Sequence, residues 1–113
     1  MHELGVATGI ADLVTRVMDE NSATRAGEIT VEVGMLSCID PSSLEFCFQA
    51  ITEGTRLQSA HLKIVRIAPR AKCRACGEEY EVQLDDFRCK DCGSADFDVL
   101  TGGDVSIRYV EVE

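Results

Sequence analysis

Apolar residues return at helical spacing along the first twenty positions. Val6, Ile10, Leu13 or Val14, and Val17 recur every three or four residues, with Thr8, Asp12, Arg16 and Asp19 between them. Residues 3–20 are therefore expected to form an amphipathic helix, although Gly5 and Gly9 weaken its first turns. "NSATRAG" reads as the helix end and a turn. The period then changes to two. Over 28–36 Ile29, Val31 and Val33 share one face and Thr30 and Glu32 the other, the pattern of a half-buried strand. Asp40 followed by Pro41 marks a helix start. Asp accepts backbone N–H bonds as N-cap, and proline is pre-set for the first helical position. Leu44, Cys47, Phe48 and Ile51 form the apolar stripe of that helix to about Thr52, and Gly54 is placed to stop it. Residues 60–68 read as a second strand. Residues 104–113 read as a third, with Val105, Ile107 and Tyr109 on one face.

Between the last two strands the composition shifts. Residues 70–101 hold four of the six cysteines and only short β-like pieces such as "EYEVQL" and "FDVL". This stretch is expected to be a small insert, with the last strand returning to the first sheet. The expected fold class is α+β: a small three-stranded sheet with two helices, plus an inserted zinc-ribbon-like domain with four cysteine ligands. The expected domains are 1–69 with 102–113, discontinuous in sequence, and 70–101.

Composition narrows the function classes. The chain has 113 residues, room for one domain or one domain with a small appendage. Its formal net charge is −9, which disfavours nucleic acid, because phosphate binding needs clustered Lys and Arg. No apolar run approaches the roughly 20 residues of a membrane span. The N-terminus has no basic segment followed by an apolar one, so a cytoplasmic location is expected. There, cysteines are thiols or metal ligands more often than disulfides.

The cysteines have a pattern that chemistry explains. Cys73 and Cys76 are separated by two residues, as are Cys89 and Cys92, and each pair is followed by glycine, Gly77 and Gly93. "CRACG" and "CKDCG" are thus a short internal repeat, with twelve residues between the pairs. Two thiolates at this spacing reach one ion from a single tight turn. The glycine lets the turn curl so that backbone N–H groups point at sulfur. Two such knuckles supply the tetrahedral four-thiolate set that suits Zn²⁺. An iron site with four cysteine ligands is compatible with the same count. A four-cysteine shell leaves no open coordination position, so the metal's role is structural, and it stabilises a segment too short for a core of its own. Four thiolates and one Zn²⁺ make the chain still more acidic.

The other candidates are weaker. Cys47 lies on a helical apolar stripe and is expected in the core. Cys38 sits between strand and helix with no role assigned by the sequence. His61 alternates with apolar neighbours and is expected at the surface or as a satisfied core residue. The second histidine, His2, opens the chain in "MHE". Trimming of an initiator Met before a residue as large as His is not expected. His2 can then present its imidazole and backbone nitrogen together. Deprotonated amide plus imidazole in one plane is the tetragonal arrangement favoured by Ni(II) and Cu(II). Glu3 adds an amide and a carboxylate.

The opening "MHE", the stretch "GMLSCIDPSSLEFCF", the paired "CRACG" and "CKDCG", and the closing "IRYVEVE" together resemble the HypA family of hydrogenase nickel-incorporation proteins over nearly the full length. The resemblance implies a nickel metallochaperone and not an enzyme. Its N-terminal Met-His-Glu would carry Ni(II), with His2 the principal side-chain ligand and Glu3 supporting. It implies structural Zn(II) on Cys73, Cys76, Cys89 and Cys92. It also places Asp40 near the nickel site in some relatives, although the N-cap role already accounts for that residue. Implied partners are a HypB-type GTPase and the large-subunit precursor of a [NiFe] hydrogenase, with urease served by some members. Some relatives recruit a zinc-domain histidine to nickel; here no histidine follows His61. The competing reading is a zinc-ribbon adaptor that binds protein, with His2 incidental. A zinc hydrolase would need an open coordination position and a nearby base, and a full set of four cysteines provides neither.

Overall fold

The computed structural model describes residues 3–113. His2, the expected principal nickel ligand, lies outside the described residues. The first helix, α1, spans Glu3–Glu20 and buries Ala7, Ile10, Val14 and Met18. Of the expected stripe, Ile10 and Val14 face the core, Val6 and Val17 are half-buried, and Leu13, the alternative to Val14, turns partly outward. Gly5 and Gly9 sit inside the helix without breaking it.

Strand β1 spans Ala26–Gly34, two residues earlier than expected at each end. Its start is fixed by the end of the chain, where Thr24 and Arg25 N–H groups both donate to the Glu113 carbonyl. Its end is set by a close backbone crossing, because a Cβ on Gly34 would overlap the Gly102 backbone. Met35 and Leu36 then donate outward to the carbonyls of Ile67 and Gly102 instead of extending the strand.

Helix α2 spans Pro41–Thr52, with Asp40 as N-cap. The Asp40 side chain accepts from Ser42 N–H at 3.2 Å and from the Ser43 hydroxyl at 3.0 Å. Leu44 and Phe48 are buried, Cys47 and Ile51 half-buried, and Gly54 follows at φ +77°. Burying side chains of this size stabilises by about 1.5–3 kcal/mol each. Strand β2 spans His61–Ile67 and runs parallel to β1, so β1, α2 and β2 form a βαβ unit. The chain then leaves for a second sheet of β3 (Arg70–Cys73), β4 (Glu79–Glu81) and β5 (Phe97–Thr101). It returns as β6, Val105–Val112, antiparallel to β1.

The strand orders are β2-β1-β6 and β4-β3-β5. Both helices cover one face of the first sheet, over Ile29, Val31 and Val33. A second, smaller cluster gathers Ala71, Cys73, Tyr80, Val82 and Cys89. The radius of gyration is 17.2 Å and the longest extent 54 Å. A compact chain of this length would have a radius near 13 Å, so the two sheets lie end to end and share no core.

One face assignment is corrected. Tyr109 is expected to share a face with Val105 and Ile107, but those two pack against the core while Tyr109 is 65% exposed. The pairing with β1 shifts between Thr30 and Val31, so that Tyr109 opposes Thr30 and Ile107 opposes Val31. The bulge places an extra residue, Arg108, between them, and Val110 and Val112 take the inner face instead.

Candidate metal centres

The repeat visible in the sequence is also a repeat in backbone hydrogen bonding. In the first knuckle Gly77 N–H donates to the Cys73 carbonyl at 2.9 Å and Cys73 N–H to the Glu78 carbonyl at 2.8 Å. In the second, Gly93 N–H donates to Cys89 at 2.8 Å and Cys89 N–H to Ser94 at 2.9 Å. Gly77 and Gly93 have φ of +82° and +76°, a conformation that glycine adopts without steric cost. Each turn thereby brings its two sulfurs to the same side.

The four Sγ atoms all lie within 4.8 Å of one another. Cys73 and Cys92 are 3.5 Å apart and Cys76 and Cys89 3.6 Å. A tetrahedral site with metal–sulfur bonds of about 2.3 Å separates its sulfurs by about 3.8 Å. The residues therefore fit a tetrahedral thiophilic ion such as zinc. Cys73 and Cys89 are buried and Cys76 and Cys92 exposed, so the centre has a dry side and a wet side.

Without a cation Cys73, Cys76 and Cys92 do not ionise alike. The Cys76 backbone N–H, helped by that of Ala75 and by the Cys92 thiol, outweighs burial and holds Cys73 down to about 7. Cys76 goes the other way. Glu78 N–H favours its thiolate, but burial and the neighbouring thiols of Cys89, Cys73 and Cys92 outweigh that bond and push it up to about 12. Ser94 N–H likewise favours the Cys92 thiolate, and the Cys73 thiol and burial overcome it to raise Cys92. A dication supplies the charge that lets all four ionise.

The surroundings hold the knuckles in place. Arg74 bridges Asp96 at 3.0 Å and Asp98 at 2.6 Å, fastening the first turn to β5. These pairs are exposed, so solvent screening leaves each only a small contribution. Phe97 stands edge-on to both Tyr80 and Phe87, with centroids 6.3 and 6.4 Å away. The Tyr80 hydroxyl donates to the Phe87 carbonyl at 2.9 Å.

The second candidate region is where α1 begins. Glu3 Oε2 accepts from the Asp40 backbone N–H at 3.0 Å, joining residues 37 apart in sequence. At the far end Arg56, just past α2, donates to Asp19 near the end of α1 at 2.8 Å. The two helices therefore run side by side in the same direction, and their N-termini converge at Glu3 and Asp40. Cys38 lies in the adjoining turn, exposed, with φ +62°. Cys47 packs partly against the core, as expected. His61 is exposed, 3.6 Å from Glu28, and is not among the clustered ligands of the cysteine centre. The Glu3–Asp40 link and the parallel helix pair were not foreseen from sequence, since no local pattern announces a contact across 37 residues. Among the described residues no helix is long and apolar enough to cross a membrane.

Comparison with known proteins places these features together. Residues 1–112 match the family described as hydrogenase/urease nickel incorporation, metallochaperone, HypA. A hydrogenase maturation factor HypA of Trichodesmium erythraeum is 38% identical over the whole of this chain and 96% of its own length. That of Azotobacter vinelandii is 34% identical, with both chains fully covered. In fold, the chain is similar to the solution structure of the Ni metallochaperone HypA from Helicobacter pylori, with a TM-score of 0.75 at 24% identity, covering 99% of this chain and 97% of that one. A second HypA solution structure gives 0.76 at 23% identity, with 100% of this chain and 97% of that one covered. The chain belongs to the HypA family of nickel metallochaperones for hydrogenase maturation.

Proposed function

We propose that this protein binds Ni(II) at its amino terminus and delivers it to an apo [NiFe] hydrogenase large subunit. The His2 imidazole and backbone nitrogens of the first residues serve as ligands, and Glu3 supports them. The observation that carries the reading is the meeting of two helix starts at Glu3 and Asp40. The first four N–H groups of a helix have no acceptor within it, so amides at the start of α1 are not committed to the helix ladder. Deprotonated amide is an anion, and the positive ends of two parallel helices favour an anion there. The Glu3 carboxylate, bonded to Asp40 N–H, links the start of α1 to the start of α2.

Zn(II) on Cys73, Cys76, Cys89 and Cys92 is the resident, structural ion. It offsets part of the charge of four thiolates and fastens the two knuckles to each other. The chain divides into a nickel-binding domain, 1–69 with 102–113, and a zinc-binding domain, 70–101. Two separate sheets and two separate buried clusters support that division. The protein works in the cytoplasm, without catalysis of its own, beside a HypB-type GTPase. A site at a chain terminus is open on one side, so a target can displace its ligands one at a time. Reprotonation of the amides helps release the ion.

Transfer tests the reading. Nickel-loaded protein is mixed with apo large-subunit precursor in the presence of a weak chelator that holds free nickel low. The expected result is faster nickel uptake by the precursor than from the chelator alone. Equal rates would remove the delivery role.

A further inference from the structure

A groove of about 550 Å³ runs between α1 and β6, with Val6, Gly9, Ile10 and Leu13 on one wall and Val105 and Ile107 on the other. Gly9 stands out in it. Glycine in a helix interior destabilises the helix relative to alanine. Internal packing does not require it, since a Cβ at Gly9 would meet nothing within 4 Å. The open space faces the groove, not the protein's own core.

The opposite wall is a strand with one side unused. β6 is the last strand in the order β2-β1-β6, so among the described residues its outer backbone groups have no strand to pair with. Edge strands are commonly blunted by charged side chains. β2, at the other edge, carries His61, Lys63 and Arg66. The first three residues of β6, Val105, Ser106 and Ile107, carry no charge and lie along the groove. Asp104 sits at their end as the groove's one charged lining residue, and its carboxylate has no ion pair among the described residues.

We propose that the free edge of β6 and the adjoining groove form a seat for an extended segment of a partner protein. The segment pairs its backbone with Val105–Ile107. It sets alternate apolar side chains against Gly9 and Leu13, and places a lysine or arginine at Asp104. Backbone pairing supplies affinity, and the groove reads alternate side chains. The chain's net charge of −9 favours a basic segment over an acidic one. The groove's end wall is Ser37 and Ile39, directly before Asp40, so the seated segment lies beside the region proposed to carry nickel. The seat itself does not depend on the nickel reading.

The probe is a terminally capped peptide, Lys-Val-Thr-Val-Thr-Val, titrated into isotopically labelled, zinc-loaded protein. Saturable shifts and slowed amide exchange over residues 105–107 are expected. Gly9→Leu, which fills the groove with a better helix former, should weaken binding by about tenfold. Gly9→Ala should raise Tm and keep most of the affinity, which separates loss of the seat from loss of folding. Asp104→Asn should weaken the lysine peptide and leave its glutamine analogue unchanged. Nickel titration of the Gly9 variants should be unaltered, so failure of the seat is distinguishable from failure of the amino-terminal site. No saturable response at millimolar peptide would overturn the proposal. Equal binding of a peptide N-methylated at alternate residues would also overturn it, since backbone pairing is then absent. So would a concentration-dependent dimer that Gly9→Leu abolishes and the peptide does not compete with, because the occupant would then be a second copy.

Discussion

The cysteine cluster and the nickel site proposed at the start of α1 would be opposite solutions to holding a metal. The cluster brings four sulfurs within 4.8 Å of one another, uses two glycine-closed turns to do so, and buries two of its four ligands. Its donors come from side chains 19 residues or fewer apart. The amino-terminal region depends instead on a long-range contact. Glu3 meets Asp40 across 37 residues through an exposed hydrogen bond. The first arrangement suits an ion that stays, because every ligand is fixed by backbone bonding. The second would suit an ion that leaves, because the Glu3–Asp40 bond beside it lies open to solvent. Permanence and exchangeability thus follow from how many donors the backbone holds rigid.

The largest expected effect tests the permanence of the cluster. Structural zinc contributes apparent binding energies of about 10–16 kcal/mol in small domains at pH 7. Cys73→Ser should therefore abolish stoichiometric zinc and unfold β3, β4 and β5, leaving α1, α2 and β1 ordered in amide spectra. Survival of the second sheet without metal would contradict the structural role. Next in size is Gly102→Ala. Gly102 has φ +84°, and a Cβ there would stand 2.7 Å from Pro69 Cα, at the crossing that joins the two sheets. A loss of about 2–4 kcal/mol is expected in chemical denaturation.

Smaller effects sharpen the comparison. Asp40→Ala should cost about 1 kcal/mol through loss of the helix cap. Asp40→Asn keeps a capping oxygen, so stability and nickel affinity should both hold nearly unchanged. A large fall in nickel affinity for Asp40→Asn alone would make the carboxylate a ligand. The smallest signal is protonic. Cys76 and Cys92 are raised and so remain protonated at pH 7, while Cys73, at about 7, is partly ionised. Zinc entry at pH 7 should then release at least about two protons per ion, measured by calorimetry in buffers of different ionisation enthalpy. Acidification reverses the reaction and favours zinc loss. Release of fewer protons would mean the thiols are ionised before metal arrives.

The two regions were unequally legible in the sequence. Cys-x-x-Cys-Gly states its own geometry, because spacing and glycine fix the turn locally; the observed hydrogen bonds repeat as the letters do. Asp40-Pro41 was legible for the same reason, and α2 begins at Pro41. Both strands of the parallel pair, and the return of the last strand to the first sheet, followed from period and composition. What was hidden is non-local. No residue near Glu3 signals that its carboxylate will meet Asp40. The bulge between Ile107 and Val110 was invisible too. "VSIRYVEV" alternates well enough to be read straight through, and only pairing with β1 shows that Tyr109 has turned outward.

The central claim is that the terminal residues, and not the cysteine centre, hold exchangeable nickel. The direct test is a Ni²⁺ titration of zinc-loaded protein, followed by d–d absorbance and calorimetry, on three forms: the native amino terminus, His2→Ala, and a chain with residues added before Met1. We expect one equivalent of nickel on the native form and loss of that site in both others, with zinc retained throughout. Equal nickel binding by all three, or nickel binding that displaces zinc from the cysteines, would contradict the account and favour a zinc-ribbon adaptor.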